Sequence, residues 1–447
     1  MKEREQFKSR IGFLLLSAGC AIGIGNVWRF PYVVGQNGGG IFVFFYLIFL
    51  LLIGVPILSM EFSVGRASAK SPVKAYQSLE KPGQKWHLHG YVGLLGNFCL
   101  MIYYTTVSGW MLNYFYKFLT GGFTGVKTSQ VASVFQNVLS SPSQNVFWMI
   151  VVVVIGMLVC SMGLQNGVER ITKVMMIGLL GLIVVLAVHG LTLDNAMAGV
   201  KFYLYPDFNK ILNVIVAAMN QSFFTLSIGI GSMAIFGSYL KKDKTLLGEA
   251  VNVAVLDTFV AIVAGLIIFP ACFSFGVNPD SGPSLIFITL PNVFLSMTGG
   301  RIWGALFFLF MAFASLSTVI AVFENIIACT MELWNFTRKK SVIINLILIT
   351  VFSLPCALGF NVLNFLQPLG SGSTILDLED FIVSNLLLPL GSFVYLLFCT
   401  SRFGWGFKNY QTEANMGDGP KIQNWMQGYL TIILPIAVIF VFISSLV

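Results

Sequence analysis

Charge is scarce in this sequence. Of its 447 residues only 10% are Asp, Glu, Lys or Arg, while 56% are hydrophobic; a soluble domain carries about 25% charge. With a mean hydropathy of +0.84, so little charge excludes a chain that folds in water. Histidine is scarcer still. His87, His89 and His189 have no HExxH spacing and no acidic company, which argues against a metalloenzyme centre. The seven cysteines (Cys20, Cys99, Cys160, Cys272, Cys329, Cys356, Cys399) show no CxxC spacing and sit in or beside apolar runs, so they read as small buried hydrophobes. No nucleophile is assembled with a base, and an enzyme is not expected. No pore-lining ring or filter repeat suggests a channel. The net charge of +8 has no clustered basic motif behind it, so no nucleic-acid partner is expected.

What the chain has in abundance is apolar runs of bilayer length, about 20 residues each. Eleven are expected, at 10–34, 40–66, 90–119, 146–163, 168–191, 213–240, 246–276, 302–336, 341–359, 375–400 and 425–446, numbered spans 1 to 11. The expected class is an all-α polytopic membrane protein, one domain over 1–447, with membrane lipid as its surroundings. No cleavable signal is expected, because the first run is too long and carries Arg29. Loop charge orients the bundle. With the N-terminus in the cytoplasm, 20 of the 26 basic residues fall inside, among them Lys241, Lys242, Lys244 and Arg338 to Lys340. Five fall outside (Lys117, Lys127, Lys201, Lys210, Arg301), and an odd number of spans leaves Val447 outside.

Span 1 contains AIGIG at 21–25, and span 6 contains SIGIG at 227–231. Five spans separate them, so the second copy crosses in the opposite sense. That is the pattern of a five-plus-five inverted repeat, 10–191 and 213–400, with 425–446 appended. Glycine-interrupted segments at matching places in two halves point to a midplane transport site. Glycine weakens a helix by roughly 1 kcal/mol, and an unwound centre frees carbonyls for a cation and amides for an anion. Close helix packing also selects small residues, but it does not call for Asn26 and Arg29 nearby.

Ionisable side chains inside spans mark pathways by default. Here they are Arg29, Glu61, Asp257 and Glu324, with Asp377, Glu379 and Asp380 near one end of span 10. Span 8 adds adjacent hydroxyls at Ser317 and Thr318, and Glu324, seven residues on, shares their face and points towards a cytoplasmic exit.

GCAIGIGNVWRFPY followed by NGGG at 37–40, GVPILSMEFSVGR at 54–66, Tyr103, Tyr104 and Trp110 in span 3, and FFTLSIGIGS at 223–232 resemble the neurotransmitter:sodium symporter family. The likeness runs from about Arg4 to the end of span 11 and is nearest the bacterial amino-acid branch. It implies a LeuT-like fold with spans 1 and 6 unwound at the bilayer centre, in a bacterial inner membrane. It also implies sodium-coupled uptake of an amino acid by alternating access.

Residue by residue, the resemblance implies two sodium sites. The first takes the Ala21 carbonyl, Asn26, Thr225, Asp257 and the substrate carboxylate; the second takes carbonyls of Gly19, Ile22 and Ala314 with the hydroxyls of Ser317 and Thr318. All-oxygen shells suit a hard cation. Amine-carrying relatives have Asp where this chain has Gly23, which leaves room for an α-carboxylate on the Gly23 and Gly25 amides and the Tyr104 hydroxyl. Carbonyls of the unwound segments, Ala21 and Thr225 among them, with Ser227, take the amino group. Leu100, Phe224, Ile230, Thr318 and Val322 surround the side chain, so a neutral hydrophobic amino acid is expected. Arg29 with Asp380 forms the outer gate under a lid of Tyr104 and Phe224. Arg4 with Glu332 forms the inner one, near Phe7, Tyr239 and Glu324.

Four departures from the family pattern matter. Asp257 stands where Asn is usual, and the fourth chloride position, beside Tyr46, Gln221 and Thr225, is Ala261. A fixed carboxylate repels an anion, so chloride independence is expected, with proton antiport if Asp257 binds a proton on the return step. In span 5 Gly167 is present but Ile177 replaces the usual proline; Cys20 replaces a frequent Asn. On the residues alone, a non-cycling amino-acid receptor and a purely proton-coupled carrier remain alternatives.

Overall fold

The computed structural model describes residues 5–208, 211–276 and 285–446. Arg4, Lys210 and Val447, which bear on the expected inner gate and topology, lie outside the described residues. Among the described residues the chain is helical and forms no strand, as hydrocarbon requires of a backbone that must satisfy its own polar groups. Nine helices among the described residues are long and apolar enough to cross a membrane: Gly40–Ser68, His87–Thr120, Pro142–Ser161, Leu164–Leu191, Leu246–Ser274, Gly300–Trp334, Arg338–Leu358, Ile375–Thr400 and Met426–Ser444. They are spans 2 to 5 and 7 to 11, displaced from expectation by a few residues at their ends.

Spans 1 and 6 are broken. Span 1 is Arg10–Ala21 and Gly25–Gln36, bent by 55°. Span 6 is Ile211–Thr225, six residues without helix, and Ser232–Gly237. Caps fix several ends: Ser9 accepts from Gly12 N–H, Thr337 from Lys340 N–H, and Thr374 forms a capping box with Asp377.

Span 8 is the axis of the bundle. Its most apolar stretch is 83% buried, against 28% for span 11, so span 8 is enclosed by protein while span 11 faces outwards. It packs along span 3 and touches spans 1, 4, 5 and 9. The first half of span 1 lies against spans 5, 7 and 8, and the second half of span 6 against span 2. Both breaks therefore sit inside protein, where their freed backbone groups find partners other than lipid.

Candidate functional site

The two breaks use glycine differently. In span 1 Ile22 leaves the helix with ψ 93°, and neither Gly23 nor Gly25 has a positive φ. Space is what these two provide. A Cβ on Gly23 would overlap the Tyr104 hydroxyl, and one on Gly25 would come within 2.7 Å of the Phe224 ring. Ile24 N–H donates to Tyr104 Oη at 3.0 Å. In span 6 the dihedrals themselves ask for it at Gly229 and Gly231, with φ of 104° and 79°, and Ser227 enters the same left-handed region at 50°.

The freed groups of span 6 are met by side chains from its neighbours. Glu61 of span 2, fully buried, accepts from Gly229 N–H and lies against the amides of Gly231, Met233 and Ala234. A carboxylate at the start of the half-helix Ser232–Gly237 suits its dipole. Asn97 of span 3 donates to Ile230 O at 2.8 Å and accepts from Ser232 Oγ at 2.6 Å. Glu61 is thus a strut for the break and does not line the cavity between the two breaks.

Oxygens converge at two places. At the first, Asp257 accepts from Asn26 Nδ2 at 2.8 Å and from Thr225 Oγ1 at 2.8 Å, and Tyr46 Oη donates to Thr225 Oγ1 at 3.3 Å. No cationic side chain is paired with Asp257 among the described residues. At the second, Ser317 Oγ lies 3.0 Å from Gly19 O and 2.8 Å from Ala314 O. Thr318 Oγ1 lies 3.2 Å from Gly19 O and 3.4 Å from both Ile22 O and Ala314 O. All five groups expected at the second site are gathered in one cluster, and three of four at the first are joined through side chains. No cluster of His, Cys, Asp and Glu suited to a transition metal occurs among the described residues.

Between the breaks lies a cavity of about 30 Å³ lined by Cys20, Ala21, Gly23, Gly25, Leu100, Tyr104, Phe224, Ser227, Thr318, Val383 and Leu388. No charged side chain lines it. Eight expected residues are there, and three are displaced from it. Thr225 turns its hydroxyl to Asp257; Ile230 packs over Gly96 of span 3; Val322 is fully buried one turn beyond Thr318. Cys20, whose position the family resemblance makes substrate-facing, is in the lining, and Val383 and Leu388 join it without having been expected there. Cys20 carries a signal in the sequence, as a departure beside the first break, whereas Val383 and Leu388 are apolar residues in an apolar span and carry none.

Tyr104, Phe224 and Gly25 also line a larger vestibule of about 550 Å³ that holds Arg29, Asp377 and Asp380. The lid therefore separates cavity from vestibule. The expected pair of Arg29 with Asp380 is not closed: the Arg29 guanidinium lies 4.0 Å from the centre of the Phe224 ring, while Asp380 Oδ1 accepts from Tyr103 Oη at 3.0 Å and Ser384 Oγ at 2.7 Å. A cation–π contact on Arg29 and hydroxyl donors on the Asp380 carboxylate occupy the two charged groups separately across the vestibule.

At the other end, where the chain begins, the route is filled. Phe7 is buried against Tyr239, with ring centres 5.7 Å apart, and Tyr239 Oη donates to Glu324 Oε1 at 3.1 Å. Arg338 grips Glu324 with two bonds of 2.8 and 2.7 Å. Glu324 is thus part of a plug and does not face an open exit. Glu332 accepts from Ser71 N–H and Oγ–H at 2.8 and 2.6 Å. The segment before span 1 is tied down by Glu169, which accepts from Lys8 N–H at 2.8 Å and from Ser9 N–H at 3.1 Å. The geometry is that of a small central cavity under a lid, with a vestibule on one side and a filled route on the other.

Known proteins agree with this architecture. The profile of the sodium:neurotransmitter symporter family matches residues 4–128 and 129–447. The sodium-dependent transporter YhdH of Bacillus subtilis is 35% identical over 445 residues, 98% of this chain and 97% of the relative. A sodium-dependent transporter of Haemophilus influenzae is 31% identical over 458 residues, covering 100% of this chain and 99% of its own. The crystal structure of MhsT in complex with L-phenylalanine superposes with a TM-score of 0.89 at 36% identity, covering 99% of this chain and 100% of that one. The chain therefore belongs to the sodium:neurotransmitter symporter family, as a multi-pass, sodium-coupled membrane transporter and not an enzyme.

Proposed function

We propose that the cavity between the two breaks binds a neutral, hydrophobic L-amino acid and that two sodium ions are carried with it, at the Asn26–Thr225–Asp257 and Gly19–Ile22–Ala314–Ser317–Thr318 clusters. The observation that carries this reading is the cavity lining. Small residues and backbone amides stand at Gly23 and Gly25 beside the Tyr104 hydroxyl, where a carboxylate needs donors, and no side chain of either charge is present. A charged or amine substrate would leave its own charge unmet there. That MhsT has been solved with L-phenylalanine supports the same class.

Asp257 supports chloride independence, because a carboxylate beside Tyr46 and Thr225 repels an anion from that position. The same carboxylate gives a proton and a sodium ion one place to compete for. The basic bias of the loops supports a cytoplasmic N-terminus in a bacterial inner membrane, with the filled end inside and the vestibule outside. Transport then requires Arg29 to leave Phe224 and meet Asp380, while the Phe7–Tyr239–Glu324–Arg338 plug opens. Spans 1, 2, 6 and 7, two from each of the repeats 10–191 and 213–400, form the body that rocks against a scaffold of the other spans. One charge moving through 100 mV supplies about 2.3 kcal/mol, so two sodium ions support roughly thousand-fold accumulation.

The test is uptake of labelled neutral amino acids into proteoliposomes, with an inward sodium gradient compared against potassium and chloride absent throughout. Sodium-driven accumulation of aliphatic or aromatic amino acids is expected. Equal uptake in potassium would remove the sodium assignments, and binding without accumulation would replace the carrier with a receptor.

A further inference from the structure

Span 10 enters the substrate cavity by way of an irregular turn. It runs as helix over Ile375–Phe381, as a wide π-helical turn over Ile382–Leu387, and again as helix over Leu388–Thr400. The cause is Pro389, which has no N–H to donate and whose ring crowds the carbonyl four residues earlier. The ladder shifts by one residue, and Leu388 N–H bonds to Val383 O. In an α-helix, residues five apart point about 140° away from each other; an i→i+5 bond brings them nearly in line. Val383, with no exposure, and Leu388, with 3%, thereby reach the same cavity.

This wall cannot retreat easily. Gly391, one turn beyond, approaches span 6 so closely that a Cβ would overlap Gly229 O, and Gly229 itself has no room for a Cβ beside Leu388 O. Leu387 Cδ1 lies 3.2 Å from where a Cβ on Gly96 would stand. Backbone is packed on backbone here, and interiors packed this tightly pass strain on instead of absorbing it. Leu100 and Phe224 supply part of the branched and aromatic carbon around the cavity; Val383 and Leu388 complete the set.

We propose that Val383 and Leu388, held side by side by the π-helical turn, set the size of the amino-acid side chain that this transporter accepts. The proposal rests on the amino-acid reading above and names the residues that decide within the class. Asp380 lies three residues before Val383, on the neighbouring turn of the same helix. A side chain too bulky for the wall therefore disturbs the turn that carries a gate residue, so size is judged at closure as well as at binding.

The experiment is equilibrium competition binding, in sodium, of L-alanine, L-valine, L-leucine, L-phenylalanine and L-tryptophan to the purified full chain and to V383A, L388A and V383I. V383A and L388A are each expected to raise the affinity for phenylalanine relative to valine about tenfold, and V383I to lower it, with the sodium requirement kept. L388M, which conserves volume, serves in place of L388A if that variant does not fold; it is expected to shift the leucine-to-phenylalanine ratio. A change that scales all five affinities equally, or none, overturns the proposal while leaving the amino-acid reading intact. Failure of the unaltered protein to bind any of the five overturns both.

Discussion

Thr318 stands at two places with one side chain: its hydroxyl lies 3.2 Å from Gly19 O and 3.4 Å from Ile22 O, in the proposed second sodium cluster, and the residue also lines the cavity between the breaks. T318V keeps the shape and removes the oxygen, leaving buried carbonyls one donor short and sodium one ligand short. The apparent sodium affinity, read from a sodium titration of amino-acid binding, is expected to fall by about one to two orders of magnitude. With the proposed first sodium site at Asp257, protons and sodium would compete for one carboxylate, so sodium-dependent binding is expected to weaken as pH falls; in D257N the pH response should flatten, and an unchanged response would exclude Asp257 as the proton site. Both residues are legible in the sequence, because polar groups inside an apolar span stand out and their spacing matches a known pattern. The reason for Gly23 is legible only in part. From the sequence, its lack of a side chain means freedom to unwind, whereas the structure uses it as room for the Tyr104 hydroxyl.

The broken helices carry the next scale. Gly229 has φ 104° and no space beside Leu388 O, so G229A is expected to cost about 1–2 kcal/mol in backbone strain alone and more in displaced packing. Thermal unfolding in detergent should show a lowered midpoint together with loss of amino-acid binding. G181A is the comparison: that position has open space around it and no positive φ, and little change is expected there. The pentads at 21–25 and 227–231 mark both breaks in advance, since glycines at matching places in two otherwise apolar runs weaken both helices at the same depth. Glu61 and Asn97 are harder to assign. A buried carboxylate announces itself, yet only the fold shows that it meets the amides of Gly229 to Ala234 instead of a cation. The π-helical turn of span 10 leaves no trace beyond Pro389, and prolines also stand inside spans 7 and 9, at Pro270 and Pro355, where the helix runs on.

For the whole molecule, the basic residues and the span order predict which face is which. Ser140 and Thr412 are exposed, in the segments between spans 3 and 4 and between spans 10 and 11. In intact cells S140C is expected to react with a membrane-impermeant thiol reagent and T412C only after permeabilisation; the reverse would invert the topology. Six of the seven native cysteines are buried and Cys99 is half-buried, so the background should be low. The span count is readable from hydropathy because bilayer thickness sets run length. The state of the gates is not, since Arg29 over Phe224 and Arg29 on Asp380 are alternatives for the same residues. The shortness of Ser232–Gly237 bears on how such a chain is made. Six helical residues extend about 9 Å, a third of the hydrocarbon thickness, and the preceding break would expose unpaired amides and carbonyls to lipid. Their partners, Glu61 and Asn97, lie earlier in the chain and are synthesised first. The groups that satisfy the break in span 6 are thus made before the break itself, and the C-terminal half inherits its partners from the N-terminal one.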